Sequence, residues 1–175
     1  MKTFEFTIIA TGLSPAEDGF ADRFFEAGCD DATISFQKGV IILEFDREAK
    51  TFFHALRTAI ANVQDAGAQV VNIEPDHLVS LSDIAERAGI TRAAASNYAK
   101  GSRGRDFPAP VVRVTTESPL WDWVDVARWL YRRGKLPLPD LLQARVVRGE
   151  NIKILERQRD HLIARQGAKA SARAA

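Results

Sequence analysis

Apolar and polar residues alternate from Lys2 to Thr11, with Phe4, Phe6 and Ile8 on one side and Glu5 and Thr7 on the other. That is the pattern of a half-buried strand. Ser14, Pro15 and Glu17 then supply the cap, the first-turn proline and the box glutamate of a helix start. Phe20, Phe24 and Phe25 give this helix a buried face, and Gly28 ends it. Ala32 to Gln37 and Val40 to Asp46 alternate again around Lys38 and Gly39, which predicts a hairpin. Glu48 to Ala66 places Ala49, Phe52, Phe53, Leu56, Ile60 and Val63 at helical spacing and stops at Gly67. Ala68 to Glu74 is a last strand before Pro75.

The order is βαββαβ, which predicts an α+β ferredoxin-like sandwich over residues 1–76, an antiparallel sheet with both helices on one face. Alternation leaves the other face to Glu5, Thr7, Thr33, Ser35, Gln37, Glu44, Asn72 and Glu74, with Ile9, Val40, Ile42 and Val70 among them. Two readings of that face stand: self-association or docking of a protein partner, and a plain solvated surface. RNA-recognition domains share the topology, but Val40 and Ile42 stand where base-stacking aromatic rings are required. The third strand is therefore a poor RNA platform.

From Leu81 to Gly101 the period changes to that of two short helices. Ser80 and Asp83 form a capping-box-like pair for the first, and Thr91 can cap the second. Ile84, Ala85 and Ala88 make one apolar stripe, Gly89 sits at the turn, Ile90 plugs the corner, and Ala95 and Tyr98 face inward. Small residues where two helices cross at a tight turn mark a helix-turn-helix. Arg92, Ala93, Ser96 and Asn97 are left pointing outward on helix 91–99, where a recognition helix meets base edges in a major groove.

A loop, GSRGRDFPAP, follows; its Gly101 to Gly104 spacing is that of a backbone-clamping GxxG turn without the strands that go with it, so a flexible loop is expected. Lys100, Arg103 and Arg105 can reach phosphates from it, and Arg113 from the strand beyond. Val111 to Thr115 and Pro119 to Trp123 read as two strands about Thr116, Glu117 and Ser118, a wing. Asp122 caps a helix with Asp125 in its first turn and Val126, Trp129 and Leu130 facing inward before Gly134.

LSDIAERAGITRAAASNY, then FPAPV, a hairpin and LWDWVDVARWL, over about residues 80–132, resembles the winged helix-turn-helix domains of excisionase-like and MerR-like bacterial DNA-binding proteins. The resemblance implies DNA contacts from Thr91, Arg92, Ser96 and Asn97, and from Arg113 or its neighbours. It also implies that Trp121, Trp123 and Trp129 are core. MerR regulators normally open with this domain, so their effector and metal mechanisms are not carried over.

Charge divides the chain as the pattern does. Met1 to Asp76 holds 6 Lys and Arg against 13 Asp and Glu, whereas His77 to Ala175 holds 18 against 10. The basic half is the one suited to phosphates. The expected domains are thus 1–76, an acidic module for dimerisation or partner binding; 77–135, the winged helix; 136–166, a C-terminal helix; and 167–175, a flexible tail. Leu136 to Pro139 is a linker and Asp140 caps a helix to about Arg165, with Leu141, Leu155 and Leu162 at one heptad position and Ile152 at another, interrupted by Arg145, Arg148 and Arg159. A dimerisation helix and a solvated helix packed on its own domain both fit.

The one cysteine, Cys29, is read as a buried small residue. No apolar run reaches membrane-span length and Met1 to Thr11 lacks a leader's features, so the cytoplasm is the expected location. His54, His77 and His161 lie far apart, Asp30 and Asp31 read as turn residues, and neither a phosphate-cradling loop nor a nucleophile elbow is present. No catalytic residue, cofactor or metal is expected. The leading expectation is a sequence-specific double-stranded-DNA-binding protein, a homodimeric bacterial or phage transcription regulator. A DNA-binding antitoxin or adaptor whose acidic module binds a protein partner, and an excisionase-like architectural protein, are the alternatives.

Overall fold

The computed structural model describes residues 1–174, with side chains for residues 1–164 and 166. Among the described residues the chain is α+β, with a four-stranded antiparallel sheet, a two-stranded sheet and six helices. No helix there is long and apolar enough to cross a membrane. The chain divides into two compact units, Met1–Pro75 with Gly149–Ala175, and Asp76–Arg148.

The first unit runs β1 (Lys2–Thr11), α1 (Phe20–Glu26), β2 (Ala32–Gln37), β3 (Val40–Ala49), α2 (Phe52–Asp65) and β4 (Gln69–Glu74), with sheet order β2-β3-β1-β4. Central β1 therefore pairs on both edges, and its Ile8 and Ala10 are fully buried. Phe6 stacks on Phe45 across β1 and β3 and meets the Phe52 ring edge-on, which seats the start of α2 on the sheet.

Several boundaries differ from the sequence reading, for local reasons. Ser14 and Glu17 close a turn, with the Glu17 N–H donating to the Ser14 carbonyl at 3.1 Å, and α1 begins only after Gly19. In so short a helix Phe20 and Phe24, one turn apart, share the inner face, while Phe25 is 67% exposed. β3 continues through Arg47 and Ala49, which pair with Phe4 and Lys2. The helix predicted from Glu48 thus begins at Phe52, capped by the Thr51 hydroxyl, and its Phe53 is exposed. Val70, expected on the open face, pairs with Ala10 and is buried, because a bulge between Ile9 and Ala10 shifts the register of β4. The open face keeps Glu5 opposite Asp46, Thr7 opposite Glu44 and Ile9 opposite Ile42.

Arg47 is the polar centre of this unit. From the covered face of β3 it donates to both Asp31 carboxylate oxygens at 2.7 Å, to the Gly28 carbonyl and Asn62 Oδ1 at 2.7 Å, and to Thr58 Oγ1 at 3.2 Å. All five guanidinium donors are used, so a buried charge is fully satisfied while the end of α1 and the side of α2 are held on the same face. Cys29 is buried beside it, and desolvation, only partly opposed by Arg47, raises the thiol to about 11. At neutral pH it is therefore a protonated, inert core group.

Helix α6 (Leu138–Ala174) starts two residues before Asp140, with Pro139 in a first turn that needs no N–H from it, and extends past the end expected near Arg165. Helix continues where a tail was expected from Gly167; Ala175 lies outside the described residues. In the first unit its Asn151 amide accepts from the Ile73 N–H and donates to the Ile73 carbonyl, both at 2.9 Å. A side chain thereby occupies the free edge of β4, where another strand would otherwise add. Buried Glu150 is neutralised by Lys153 at 2.8 Å and Arg57 at 3.6 Å.

The second unit contains β5 (Leu78–Val79), α3 (Leu81–Arg87), α4 (Arg92–Ala99), β6 (Trp121–Asp122), α5 (Trp123–Arg132) and the first turns of α6. β5 pairs with β6, and Val79, Ile84, Ala95, Val126, Ala127 and Leu130 form a fully buried centre with Trp121, Trp123 and Trp129 around it. Asp122 caps α5 through the Val124 N–H at 2.8 Å and pairs with Arg148 at 2.6 Å. The predicted wing strands shrink to one bridge, Val112 to Leu120, and the two residues of β6. Pro110 and Pro119 supply no N–H, Arg113 turns into the left-handed region at φ +53°, and Trp123 is already helical.

Arg47→Leu, which strands the Asp31 carboxylate and the Asn62 amide, is expected to destabilise the first unit by about 3 kcal/mol. A denaturant midpoint unchanged from wild type would contradict the role assigned to this fork.

Candidate nucleic-acid interface

The face of α4 is set by how α3 meets it. Ser80 and Asp83 form a complete capping box, the Ser80 hydroxyl accepting from the Asp83 N–H at 3.3 Å and the Asp83 carboxylate from the Ser80 N–H at 2.7 Å. Gly89, at φ +62°, turns the chain, and the Ile90 N–H returns to the Ala85 carbonyl at 2.9 Å. A left-handed glycine is the low-cost way to close α3 and redirect the chain within two residues. Thr91 then caps α4, its hydroxyl accepting from the Ala94 N–H at 3.1 Å. Ala95 and Tyr98 are buried.

What remains outward is the set read from the sequence. Arg92 and Ala93 are exposed, and Ser96 and Asn97 are half-buried. Arg92 donates from Nε to Ser82 Oγ on α3 at 3.1 Å, which steadies the side chain while its two terminal nitrogens stay without a protein partner among the described residues. Lys100, expected in the loop, is the helical C-cap of α4 and completes a stripe with Arg92 and Ser96 at spacing i, i+4, i+8. Thr91 is exposed, but its hydroxyl is engaged by the cap.

The loop after α4, expected to be flexible, is pinned to α5. Trp129 donates its indole N–H to the Arg105 carbonyl at 3.0 Å, and Arg133 donates to the same oxygen at 2.6 Å while lying 3.9 Å over the Trp129 ring. Tyr98 and Phe107 each pack 5.0 Å from that ring. Gly104, at φ +76°, touches it so closely that a Cβ would lie 2.7 Å from the indole. The backbone is thus fixed while the Arg103 and Arg105 side chains remain exposed. Arg113 is exposed too, at the head of a turn closed by its own carbonyl, which accepts from the Thr116 N–H at 3.0 Å and hydroxyl at 2.9 Å.

Partners separate two classes of cation in this unit. Arg87 donates to the Asp76 carbonyl at 2.7 Å and lies over Trp123, and burial lowers its pKa despite nearby Asp83 and Asp76; Arg128 pairs with Asp125 and Arg148 with Asp122. Among the described residues Arg92, Lys100, Arg103, Arg105 and Arg113 enter no ion pair. Such cations contribute full charge and free donors to an anionic ligand. Ser82, the Arg105 carbonyl and Arg133 were not legible as parts of this surface, because each acts on a residue at least ten positions away. Comparison with family models, curated proteins and solved structures found no match.

Gly104→Ala forces a side chain into the left-handed region and against Trp129. It is expected to lower the unfolding midpoint of the second unit by about 5 °C or more. An unchanged midpoint would show that the loop is not held by this contact.

Proposed function

We propose that the second unit binds double-stranded DNA with sequence preference, entering the major groove with α4. The observation that carries this reading is the outward face of α4, with Arg92 and Ala93 exposed and Ser96 and Asn97 half-buried, bordered by cations at 100, 103, 105 and 113 that enter no ion pair among the described residues. On this reading Arg92, Ser96 and Asn97 address base edges, and Ala93 is small enough to let the helix approach a thymine methyl. Lys100, Arg103, Arg105, Arg113 and the backbone around Thr91 hold phosphates and fix the register.

The strand order of the first unit supports reading it as a ferredoxin-like sandwich. The α3–turn–α4 pair, the 113–118 turn and α5 support a winged helix-turn-helix with a much shortened wing, akin to the excisionase-like and MerR-like domains that the sequence resembles. The function that fits is a cytoplasmic transcription regulator. The open sheet face favours a second reading, an adaptor: Glu5, Glu44, Asp46 and Glu48 are exposed along β1 and β3, and complement a basic protein partner.

Selection of bound sequences from random duplexes tests the first reading. One enriched motif is expected, with binding that falls steeply as salt rises. On that motif Arg92→Ala is expected to cost about 1 to 3 kcal/mol and to relax preference at one base pair. No binding to any duplex at low salt would refute the proposal, and an equal loss on scrambled DNA would move Arg92 from base reading to phosphate contact.

A further inference from the structure

Within the first unit α6 has two unlike faces. Glu150, Asn151 and Ile154 are buried and Gln158 is half-buried, all on the side that meets the β4 edge and α2. At about 100° per residue, Ile152, Leu155, Arg159 and Ile163 fall within about 80° of one another on another side. Leu162 lies at the border between that side and the one carrying Asn151, where it also lines a groove with Ile60 and Val70. Ile152 is 38% exposed, Leu155 57%, Leu162 58% and Ile163 60%. Large apolar side chains at i, i+3, i+10 and i+11, with one arginine at i+7, follow the spacing of a helix-pairing seam and not that of scattered surface residues.

We propose that this stripe pairs with the same stripe of a second copy of the chain, the two helices running antiparallel. Charge selects both the occupant and the direction. Among the described residues Glu156 is in no ion pair, and Arg159 meets only its neighbour Asp160, at 3.4 Å and with both side chains largely exposed. A parallel in-register pair would set Glu156 against Glu156 and Arg159 against Arg159. Reversing one helix about the 157–158 midpoint sets Ile152 against the partner's Leu162 and Ile163. It also brings each Glu156 beside the partner's Arg159, satisfying two charges of each copy at once. The aliphatic stem of Arg159 then covers the partner's Leu155 while its guanidinium reaches Glu156. The arginine that interrupts the apolar seam thereby becomes the residue that sets its direction. This pairing does not depend on what the second unit binds.

Light scattering of the full chain across a dilution series, without DNA, tests it. A concentration-dependent dimer is expected for wild type. Leu155→Glu with Leu162→Glu is expected to stay monomeric, and so is the uncharged pair Leu155→Gln with Leu162→Gln, which guards against a charge-induced loss of folding. Glu156→Arg is expected to weaken the dimer by about tenfold, with recovery when Arg159→Glu is added. Wild type that remains monomeric throughout, or a Leu155/Leu162 double variant that dimerises like wild type, would overturn the proposal. A Glu156→Arg chain with unchanged affinity would overturn the antiparallel direction.

Discussion

The arrangement of the second unit depends on one side chain, Trp129. Its ring receives Tyr98 from α4, Phe107 and Gly104 from the following loop and the Arg133 guanidinium, while its N–H holds the Arg105 carbonyl. A large ring with one polar handle is suited to this, since packing and one directional bond together fix both the distance and the rotation of what it touches. The outward face of α4 is therefore set from beneath: Tyr98 is anchored on the indole, so Arg92, Ser96 and Lys100, on the other side of the same helix, have little freedom in where they point. The adjoining loop is anchored by the same ring, so the basic side chains on both segments are presented by a fixed backbone. Preorganisation of this kind reduces the ordering cost of binding an extended anion.

The two units solve the problem of charge differently. In the first, buried Arg47 is surrounded by acceptors, and acidic residues elsewhere are left on an open sheet face. In the second, Arg87 and Arg148 are used up in backbone and carboxylate contacts, while among the described residues the cations of α4 and its neighbouring segments enter no ion pair, Arg92 spending only its Nε on Ser82. Only cations of the second kind keep donors free for an anionic ligand. Net charge alone does not make that distinction.

Much of this was legible in the chain wherever neighbours in sequence decide the outcome. The capping box at Ser80 and Asp83, the turn at Gly89, the Thr91 cap and the burial of Ala95 and Tyr98 all follow from spacing within one or two helical turns. The strands of the first unit were legible from alternation, except where β3 runs on to Ala49 in place of the expected start of a helix and where a bulge moved Val70 to the covered face. What was not legible depends on distant partners: Arg47 gathering Gly28, Asp31, Thr58 and Asn62, Asn151 closing the edge at Ile73, and Trp129 pinning Arg105. The wing failed for a local reason that the pattern understated. Val111 to Thr115 and Pro119 to Trp123 carry strand-forming residues, but Pro110 just before the first, Pro119 at the head of the second and the left-handed Arg113 leave room for a single bridge.

The central claim is that the outward face of α4 meets the edges of bases. Amide chemical-shift mapping of the full chain, titrated with a duplex carrying its selected motif, measures this directly. The account predicts that the largest changes cluster between Arg92 and Arg105 and around Arg113, with the sheet of the first unit unmoved. Changes confined to that sheet, or none on α4 at saturation, would contradict it.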